Sequence, residues 1–544
     1  MVHLTGAQAT IATLRAHDVN TIFGIPGNHT LPLYDALYAE PGIRHILARH
    51  EQGAGFMAEG YARASGNPGI ACTITGPGAT NIATPIAEAY TDSIPLLVIS
   101  SSLSQKRPHY MIGSLHETKN QFASIEALAG WSRAITRVEE IPAALSAAFD
   151  YLRRERPRAA YLEIPYDLLS VEADVDLPAT SFLESGPSLP FPKTELATAA
   201  ALLRTAKRPL FVAGTGVTAA GANKELAQLA DLLSAPVLLG AKSHDVLPDD
   251  FSLALTSTGF DLVPELLQLV TRSDATLVVG SKLGAKRTGE KALPLPTPLI
   301  HIDIDPDVIG FNYSTDVKIV ADARPALADL VQQLRKEDRP VRPMRTREIE
   351  SARSALRAYT EQALGEAVTL LDALRASLPR ETIVVADMTM LGYASARSFP
   401  VYEPRTFIHP FEFCTIGCGL PLALGAKVAQ PERPVVALCG DGGFLLNSSE
   451  LATAIQEQID VIILLFNDSA YTAVRKTQHQ LYADRYLATD LRGPDFVALA
   501  QAFGARGIKA NGAAELQEAI GQALQSEGTT LIEVLLPPWP WYSN

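Results

Sequence analysis

The sequence predicts an α/β fold made of three doubly wound domains, each with a parallel sheet covered by helices. Three long segments alternate amphipathic helical patterns with short apolar runs that end in Gly-rich tips. This alternation is typical of parallel sheets, because each crossover connection places a helix on one face of the sheet. The length of 544 residues is also too great for a single hydrophobic core.

The predicted domains follow one another along the chain. Residues 1–170, 196–340 and 365–544 form the three α/β segments. Residues 171–195 are rich in Pro and Ser, which predicts an exposed linker. Residues 341–364 belong to a stretch dense in charges of both signs, which predicts a solvated charged connector. The C-terminal PPWPWYSN predicts an extended strap, with a frayed terminus as the alternative.

Composition excludes several classes of function. The 46 basic and 59 acidic residues give a net charge of -13, which argues against a nucleic-acid or anionic-membrane binder. The four cysteines include no CxxC pair, so free thiols in a reducing compartment are expected. No secretory pattern opens the chain, and no apolar run reaches membrane-spanning length. We therefore expect a cytoplasmic protein without nucleic-acid or membrane partners.

The most informative stretch is residues 434–474. It contains two apolar runs, the first ended by Gly440-Asp441-Gly442-Gly443 and the second by Asn467-Asp468. The spacing predicts a strand–helix–strand crossover, so Asp441 and Asp468 should lie side by side at the carboxyl ends of parallel strands. Two carboxylates beside a glycine turn suit a Mg²⁺ ion that holds phosphate oxygens. The alternative is that Asp441 caps a helix and Asp468 turns the chain.

This pattern resembles the cofactor motif of thiamine-diphosphate-dependent enzymes of the acetolactate synthase-like and 2-oxo acid decarboxylase family. The resemblance implies Mg²⁺ ligands at Asp441, Asp468 and the backbone carbonyl of Ala470. Many relatives have Asn-Asn where this chain has Asn467-Asp468, and a carboxylate retains an oxygen ligand. The three domains would be pyrimidine-binding, central and diphosphate-binding, in that order. The same motif implies cofactor contacts at Gly440, Gly442, Gly443 and Tyr471.

Two stretches of the first segment carry the resemblance further. Glu51, in the sequence HEQGA, would by itself be interpreted as a helix cap. In the family a glutamate in this context hydrogen-bonds the cofactor's pyrimidine, so Glu51 is expected to be both catalytic and cofactor-binding. The GPGATN turn matches the family almost letter for letter, which implies cofactor contacts at Gly76, Pro77 and Asn81.

The third segment contains Cys414-Thr415-Ile416-Gly417-Cys418-Gly419-Leu420-Pro421, which also resembles the family. Ile416 would wedge the bent cofactor, and the backbone at Cys414 and Ile416 would hydrogen-bond the pyrimidine. An ordinary core residue is the alternative for Ile416. Just upstream, PFEFC replaces the Gly-rich SGGLG of synthases, which should narrow or recharge the pocket. Glu412 in this stretch offers a partner for a substrate guanidinium.

Three further residues bear on the substrate. Asn28 and His29 occupy a loop that faces the cofactor in relatives, and His116 lies in an LHE sequence. LHE resembles enzymes that decarboxylate 5-guanidino-2-oxopentanoate. All three are expected to be catalytic, although a lone histidine is more often structural. Val474 stands where simple pyruvate decarboxylases have a glutamate, which favours the synthase branch.

The resemblance implies decarboxylation of a 2-oxo acid and carboligation of the resulting enamine to a second carbonyl compound, an aldehyde or ketone. The alternative is a non-ligating decarboxylase of a larger 2-oxo acid such as 5-guanidino-2-oxopentanoate. FAD is left open and not expected. Because the family places its cofactor between the first domain of one subunit and the third domain of another, a homodimer or homotetramer is implied.

A dinucleotide-dependent oxidoreductase is the alternative from another class. Gly214, Gly216 and Ala219 follow an apolar run and form a weak dinucleotide fingerprint. The acidic residue expected after the next strand is missing, since Ala241-Lys242-Ser243 stands there. Close packing of a helix on a strand explains these glycines equally well.

Overall fold

A computed structural model of the chain describes residues 1–106, 113–179, 191–257, 261–335 and 345–537. They contain three six-stranded sheets in which all neighbouring strands run parallel. The prediction of three doubly wound α/β domains is therefore confirmed. Residues 180–190 of the predicted linker and nearly all of the predicted C-terminal strap lie outside the described residues.

The first domain has the sheet order β3-β2-β4-β5-β7-β6, and β1 pairs antiparallel with β8 at its side. Its strands are β1 Val2–Thr5, β2 Thr21–Gly24, β3 Arg44–Leu47, β4 Gly69–Thr73, β5 Leu96–Ser102, β6 Trp131–Ala134, β7 Ala160–Pro165 and β8 Glu172–Val175. Its helices are α1 Gly6–Ala16, α2 Leu31–Tyr38, α3 Glu51–Ser65, α4 Pro77–Asn81, α5 Ala83–Asp92, α6 Gln121–Glu126 and α7 Ile141–Arg154.

The central domain has the sheet order β11-β10-β9-β12-β13-β14. Its strands are β9 Pro209–Ala213, β10 Val237–Leu239, β11 Ala254–Thr256, β12 Ala275–Val279, β13 Leu299–Asp303 and β14 Val317–Val320. Its helices are α8 Lys193–Thr205, α9 Thr215–Ala219, α10 Asn223–Leu233, α11 Pro264–Thr271, α12 Ala285–Thr288 and α13 Ala323–Arg335.

The segment predicted as a solvated connector contains α14, Thr346–Leu364. Ile349, Ala352 and Leu356 recur at helical spacing and are buried in the core of the central domain. Of the charged residues between them, Glu350 is exposed and Arg353 is partly exposed. The segment is thus an amphipathic helix packed on the central domain, because its few apolar residues share one face.

The third domain has the sheet order β16-β15-β17-β18-β20-β19. Its strands are β15 Ile383–Ala386, β16 Phe407–Ile408, β17 Val435–Gly440, β18 Ile462–Asn467, β19 Arg506–Ala510 and β20 Thr530–Leu535. Its helices are α15 Glu366–Ser377, α16 Met390–Ser398, α17 Gly419–Ala429, α18 Asp441–Leu446, α19 Glu450–Gln456, α20 Thr472–Tyr482, α21 Phe496–Phe503 and α22 Gly512–Leu524.

The first and third domains pack through α3 and α17, which approach closely at glycines. A Cβ on Gly60 would lie 2.1 Å from the carbonyl oxygen of Leu422, and one on Gly425 would lie 1.8 Å from that of Met57. Small residues allow the two backbones to touch. One hydrophobic core consequently runs through both domains. This packing fixes the orientation of Glu51, the first residue of α3, relative to the third domain.

Within the described ranges, none of the helices combines the length and apolar character needed to cross a lipid bilayer.

Candidate active site

The predicted site residues His29, Gly76 and Asp441, together with Asp387, lie where the strand order of a sheet reverses. In the first domain the loops after the neighbouring strands β2 and β4 carry His29 and Gly76. In the third domain the neighbouring strands β15 and β17 are followed by Asp387 and Asp441. Open parallel sheets bind ligands in the crevice at this point, because adjacent loops diverge to opposite faces there.

Asp441 and Asp468 meet at the carboxyl ends of β17 and β18, which pair in register from Val436 to Gly440. Asp441 begins α18 and is almost fully buried. Burial and, second, the nearby charge of Asp468 raise the pKa of Asp441 to about 7, although hydrogen bonds from backbone N–H groups, including that of Ser469, oppose the shift. A cation between these two carboxylates would stabilise their charged forms.

The donor set of this pair fits a magnesium ion. The described residues contain no group of three or more His, Cys, Asp or Glu side chains arranged to hold a metal. Mg²⁺ needs only one or two carboxylates when phosphate oxygens and water complete its octahedral coordination. Ala470 lies beside the pair, in an isolated bridge to Asp490, so its backbone is held in an extended conformation.

The glycines of the motif leave space that neighbouring side chains use. A Cβ on Gly442 would lie 2.5 Å from the ring of Tyr471, and one on Gly443 would lie 3.2 Å from Ile416 Cγ1. Gly440 precedes α18 in an extended conformation. These contacts bring Tyr471 and Ile416 to the turn that carries Asp441. The N–H groups at the start of a helix favour negative charge, which makes this turn suitable for an anionic diphosphate.

Asp387 organises the backbone beside Ile416. Its Oδ1 accepts hydrogen bonds from the N–H groups of Gly417, at 3.0 Å, and Met388, at 2.6 Å. Burial raises its pKa, and its Oδ2 is buried without a hydrogen-bond partner among the described residues. A Cβ on Gly443 would lie 3.2 Å from that oxygen. Asp387 therefore fixes the backbone at Gly417, next to Ile416, in the crevice of the third domain.

Glu51 and Asn81 form the corresponding pair in the first domain. Asn81 Nδ2 donates a hydrogen bond of 3.0 Å to Glu51 Oε2. A Cβ on Gly78 would lie 3.2 Å from Glu51 Oε1 and 2.3 Å from Thr73 Oγ1, so this turn requires glycine. Pro77 occupies the first turn of α4, where its missing N–H costs no hydrogen bond. The GPGATN turn thus positions the carboxylate of Glu51.

Glu450, in the third domain, holds the two residues that precede Glu51. Its carboxylate is fully buried on α19, and its Oε1 accepts hydrogen bonds from the backbone N–H groups of Arg49, at 3.1 Å, and His50, at 3.0 Å. Gly53 is required here, because its Cβ would lie 2.2 Å from Glu450 Oε1. The N-terminus of α3, where Glu51 lies, is therefore held by an acidic residue of another domain.

His29 and His116 lie together beside the Gly76 turn. His29 Nδ1 is 2.9 Å from Thr75 Oγ1, and its ring stacks on Tyr166 at 4.4 Å. The His116 ring meets the His29 ring edge-on at 5.5 Å. Burial and, second, His116 lower the pKa of His29, which favours the neutral imidazole. Asn28 is exposed and begins the short 3₁₀ helix Asn28–Thr30, which also contains His29.

A buried amide fixes the Gly76 turn. Gln121 Oε1 accepts a hydrogen bond of 2.7 Å from the Gly76 N–H, and Gln121 Nε2 donates to Tyr161 Oη and Glu163 Oε2, each at 3.0 Å. Gly76 has φ +70, and its Cβ would lie 2.4 Å from the carbonyl oxygen of His116. Only glycine suits both the conformation and the contact. The network fixes the turn, and the close approach at Gly76 places the backbone of His116 against it.

Glu412 does not present an unpaired carboxylate. Its Oε1 lies 2.9 Å from Lys242 Nζ, and its Oε2 bonds to Lys282 Nζ. Two ammonium groups of the central domain therefore already pair with the carboxylate that was expected to bind a substrate guanidinium. Val474 lies on α20 and is about half exposed.

The fingerprint glycines pack against backbone. A Cβ on Gly214 would lie 2.1 Å from the carbonyl oxygen of Gly280, and one on Gly216 would lie 2.6 Å from Gly280 Cα. The close approach of two loops thus explains both glycines without a nucleotide. These loops border a cavity of about 750 Å³ between the three domains, which Lys242, Lys282 and Glu412 also line.

Sequence patterns did not single out Glu450, Asp387, Gln121 or Tyr166. Each acts through a partner that is distant in the sequence. Glu450 and His50, for example, are 400 residues apart. The one local signal is the burial of an acidic or amide side chain, because a buried polar group implies a hydrogen-bond partner. The periodicity of α19 does place Glu450 on the same face as Leu451 and Ala454.

Comparisons with known proteins cover most of the chain. Three family models match: "Thiamine pyrophosphate enzyme, N-terminal TPP binding domain" over residues 4–125, "central domain" over 196–330 and "C-terminal TPP binding domain" over 387–534. The predicted family is thus confirmed.

Curated relatives match over nearly their full length. The chain is 38% identical to a probable 2-ketoarginine decarboxylase of Pseudomonas aeruginosa, over 98% of this chain and 94% of that protein. It is 33% identical to a probable acetolactate synthase large subunit of Methanocaldococcus jannaschii, over 98% and 92%. It is 31% identical to the acetolactate synthase isozyme 3 large subunit of Escherichia coli, over 96% and 93%. None of these names supports the oxidoreductase alternative.

Proposed function

Because the chain belongs to the family of thiamine pyrophosphate enzymes, we propose that it uses thiamine diphosphate and Mg²⁺ to decarboxylate a 2-oxo acid and ligates the product to a second carbonyl compound. The observation that carries the proposal is the pair of Asp441 and Asp468 at the carboxyl ends of adjacent strands. This pair supplies the negative charge that a metal–diphosphate group requires.

The third domain would bind the charged end of the cofactor. Asp441, Asp468 and the carbonyl of Ala470 are the proposed Mg²⁺ ligands, and the N–H groups at the start of α18 would face the diphosphate. Ile416 and the backbone of Cys414 would meet the organic part. When bound, thiamine diphosphate supplies an electron sink that allows carbon dioxide to leave a 2-oxo acid.

The first domain would supply the acid–base group. Asn81 holds Glu51 Oε2, so we assign Glu51 Oε1 the proton shared with a ring nitrogen of the cofactor. Glu450 and the GPGATN turn keep this carboxylate oriented. His29, as a neutral imidazole beside Thr75 and His116, is suited to accept or donate a proton on the substrate side.

We propose that two chains share each site, with Glu51 of one protomer facing Asp441 of its partner, in a homodimer or homotetramer. We also propose a cytoplasmic location, in agreement with the buried free thiols of Cys72, Cys418 and Cys439. Flavin is not part of the proposal, and a purified protein with a flavin absorption spectrum would correct it.

A second candidate is decarboxylation without ligation. The 38% identity to a protein named a probable 2-ketoarginine decarboxylase favours it, as does the pair of His29 and His116, which could protonate a reaction product. The apolar Val474 favours ligation, because the glutamate that simple pyruvate decarboxylases have there is missing. Both candidates share the first half-reaction and the same cofactor.

The test compares cofactors and then substrates on the full-length protein. Thiamine diphosphate with Mg²⁺ should raise the melting temperature, whereas NAD⁺ should not. A panel of 2-oxo acids, alone and with aldehydes or ketones, is then analysed by mass spectrometry. Ligated products support the first candidate and free aldehydes support the second. Stabilisation by NAD⁺ alone, without turnover of any 2-oxo acid, would exclude both.

A further inference from the structure

Five charged side chains from all three domains form one continuous group, here called the interdomain charge cluster. Arg63 Nη2 lies 2.8 Å from Asp92 Oδ2, and Lys242 Nζ lies 3.0 Å from Asp92 Oδ1. Lys242 Nζ also lies 2.9 Å from Glu412 Oε1, while Lys282 bonds to Glu412 Oε2. Cations and anions alternate along the cluster, in the order Arg63, Asp92, Lys242, Glu412 and Lys282.

The cluster is largely removed from water. The side chain of Asp92 is fully buried, and that of Lys242 is only 20% exposed. Burial alone would raise the pKa of Asp92 and of Glu412, but in both cases the neighbouring cations outweigh it and the pKa is lowered. Both carboxylates are therefore ionised and paired. Buried pairs of this kind contribute little to net stability but strongly restrict geometry.

The cluster lies against residues 411–416, the segment that ends at the proposed wedge residue. The Phe411 N–H donates to Asp92 Oδ2 at 3.3 Å, and Lys286 Nζ donates to the Phe411 carbonyl at 3.0 Å. At the other end, the N–H and hydroxyl of Thr415 donate to Glu88 Oε2 at 3.1 and 2.8 Å. Glu412 is the ionic anchor between these two ends.

The segment needs such anchors because its backbone is unfavourable. Cys414 has φ +62, a left-handed conformation that a residue with a side chain rarely adopts. Strained backbone persists only where surrounding contacts determine it. Ile416 follows two residues later and would contact a Cβ on Gly443 at 3.2 Å. A displacement of residues 411–415 would therefore move Ile416 relative to the turn that carries Asp441.

We propose that Glu412 is a positioning residue, which, held between Lys242 and Lys282, fixes residues 411–416 so that Ile416 and the Cys414 backbone meet the cofactor. The inference rests on the proposed function, since it assigns the cofactor to this crevice. Glu412 contacts neither the substrate nor the cofactor in this role. This role takes the place of the earlier expectation that Glu412 binds a substrate guanidinium.

The test measures cofactor binding by the full-length protein. Glu412→Gln retains the size of the side chain but removes the carboxylate that Lys242 and Lys282 share, so that Lys242 keeps only Asp92 and Lys282 loses its partner. We expect thiamine diphosphate, titrated calorimetrically with excess Mg²⁺, to bind about tenfold more weakly or worse. Hydrogen exchange of residues 411–417 should become faster in the absence of cofactor. The matched control is Glu348→Gln, since Glu348 also lies between two cations, Arg208 and Arg345.

A second variant separates positioning from a general loss of stability. In Glu412→Gln with Lys282→Met, one unpaired ammonium is removed but the anchor is still missing. Positioning predicts that the melting temperature recovers while cofactor binding stays weak. Recovery of both, or equal weakening in the Glu348→Gln control, would overturn the inference.

The substrate provides the last comparison. Positioning predicts that Glu412→Gln affects a cationic and an uncharged 2-oxo acid equally, because the lesion is in the cofactor site. A rise of KM confined to the guanidino acid, with unchanged cofactor affinity, would instead make Glu412 a substrate ligand. If the wild-type protein binds no thiamine diphosphate, the proposed function fails before Glu412 is tested.

Discussion

The carboxylate of Glu450 accepts a hydrogen bond of 3.0 Å from the backbone N–H of His50, 400 residues earlier in the chain. His50 is followed by Glu51, and Glu450 follows the Asp441 turn by nine residues. The contact ties the proposed acid–base residue to the domain that carries the proposed metal ligands. It lies within one chain, so the orientation of Glu51 depends on how the first and third domains of a single protomer pack.

Replacement of Glu450 tests this contact. Glu450→Gln retains one acceptor oxygen for Arg49 and His50 but removes the charge, so the N-terminus of α3 loses part of its support. We expect a loss of about 1–2 kcal/mol in stability and a fall in kcat larger than the change in KM. Thermal unfolding and steady-state kinetics check both. A fall in stability with unchanged kcat would show that Glu51 is positioned without it.

Replacement of Glu51 tests the acid–base assignment. Glu51→Gln should retain the hydrogen bond from Asn81 yet lower kcat by about 10²-fold or more, because an amide cannot share the proton. Calorimetric titration with thiamine diphosphate and Mg²⁺ should give nearly wild-type affinity. Glu126→Gln, an exposed acid of the same domain, is the control and should match wild type. Near-normal turnover by Glu51→Gln would contradict the mechanism.

The proposed side-chain ligands of the metal should tolerate an amide substitution better than an alanine substitution. Asp468→Asn keeps an oxygen donor, so we expect Mg²⁺-dependent binding of thiamine diphosphate to change by about threefold or less. Asp468→Ala and Asp441→Ala remove the donor and should abolish the Mg²⁺-dependent rise in melting temperature. Titration with Mg²⁺ at a fixed cofactor concentration measures this. Equal behaviour of all three variants would argue against direct coordination.

Glu59 should make stability depend on pH. It is fully buried, and burial, only partly offset by Arg63, raises its pKa to about 8 from 4.5. Between these values the folded protein holds one more proton than the unfolded chain. Stability therefore falls as pH rises through this range, by up to about 1.4 kcal/mol per pH unit for one proton. In Glu59→Gln this contribution is absent, so melting temperatures from pH 5 to 8 should fall less steeply than in wild type.

The glycine contacts between α3 and α17 should be sensitive to a single methyl group. Gly60→Ala would place its Cβ 2.1 Å from the carbonyl oxygen of Leu422, so one of the helices must move. We expect a loss of about 2 kcal/mol or more and weaker cofactor binding. The matched control is Gly521→Ala, inside α22, where a Cβ meets nothing within 4 Å. That variant should gain up to about 1 kcal/mol, since alanine favours a helix.

Local patterns in the sequence were sufficient for the fold class and for much of the crevice. Apolar runs ended by Gly-rich turns predicted parallel strands, and their spacing predicted that Asp441 and Asp468 would lie near each other. The structure places them so. These features depend on residues within one crossover, where backbone geometry and side-chain period decide the outcome.

The expectation for Glu412 shows the limit of such patterns. The sequence predicted that the Glu412 carboxylate, beside a pocket, could pair with a guanidinium. The structure instead pairs it with Lys242 and Lys282, 170 and 130 residues earlier. Likewise, the charge-rich stretch around Ile349 predicted a solvated connector, but its apolar face packs on the central domain. A charge pattern shows that a side chain needs a partner, and it does not show which partner.

Short-range periodicity and short motifs were enough to predict the three parallel-sheet domains, the Gly–Asp turn and the family. They could not show that Glu450 holds the turn before Glu51, or that Glu412 pairs with two lysines of the central domain. These contacts join residues from different domains. Their geometry follows from how the three domains pack on one another, and no local interaction encodes it.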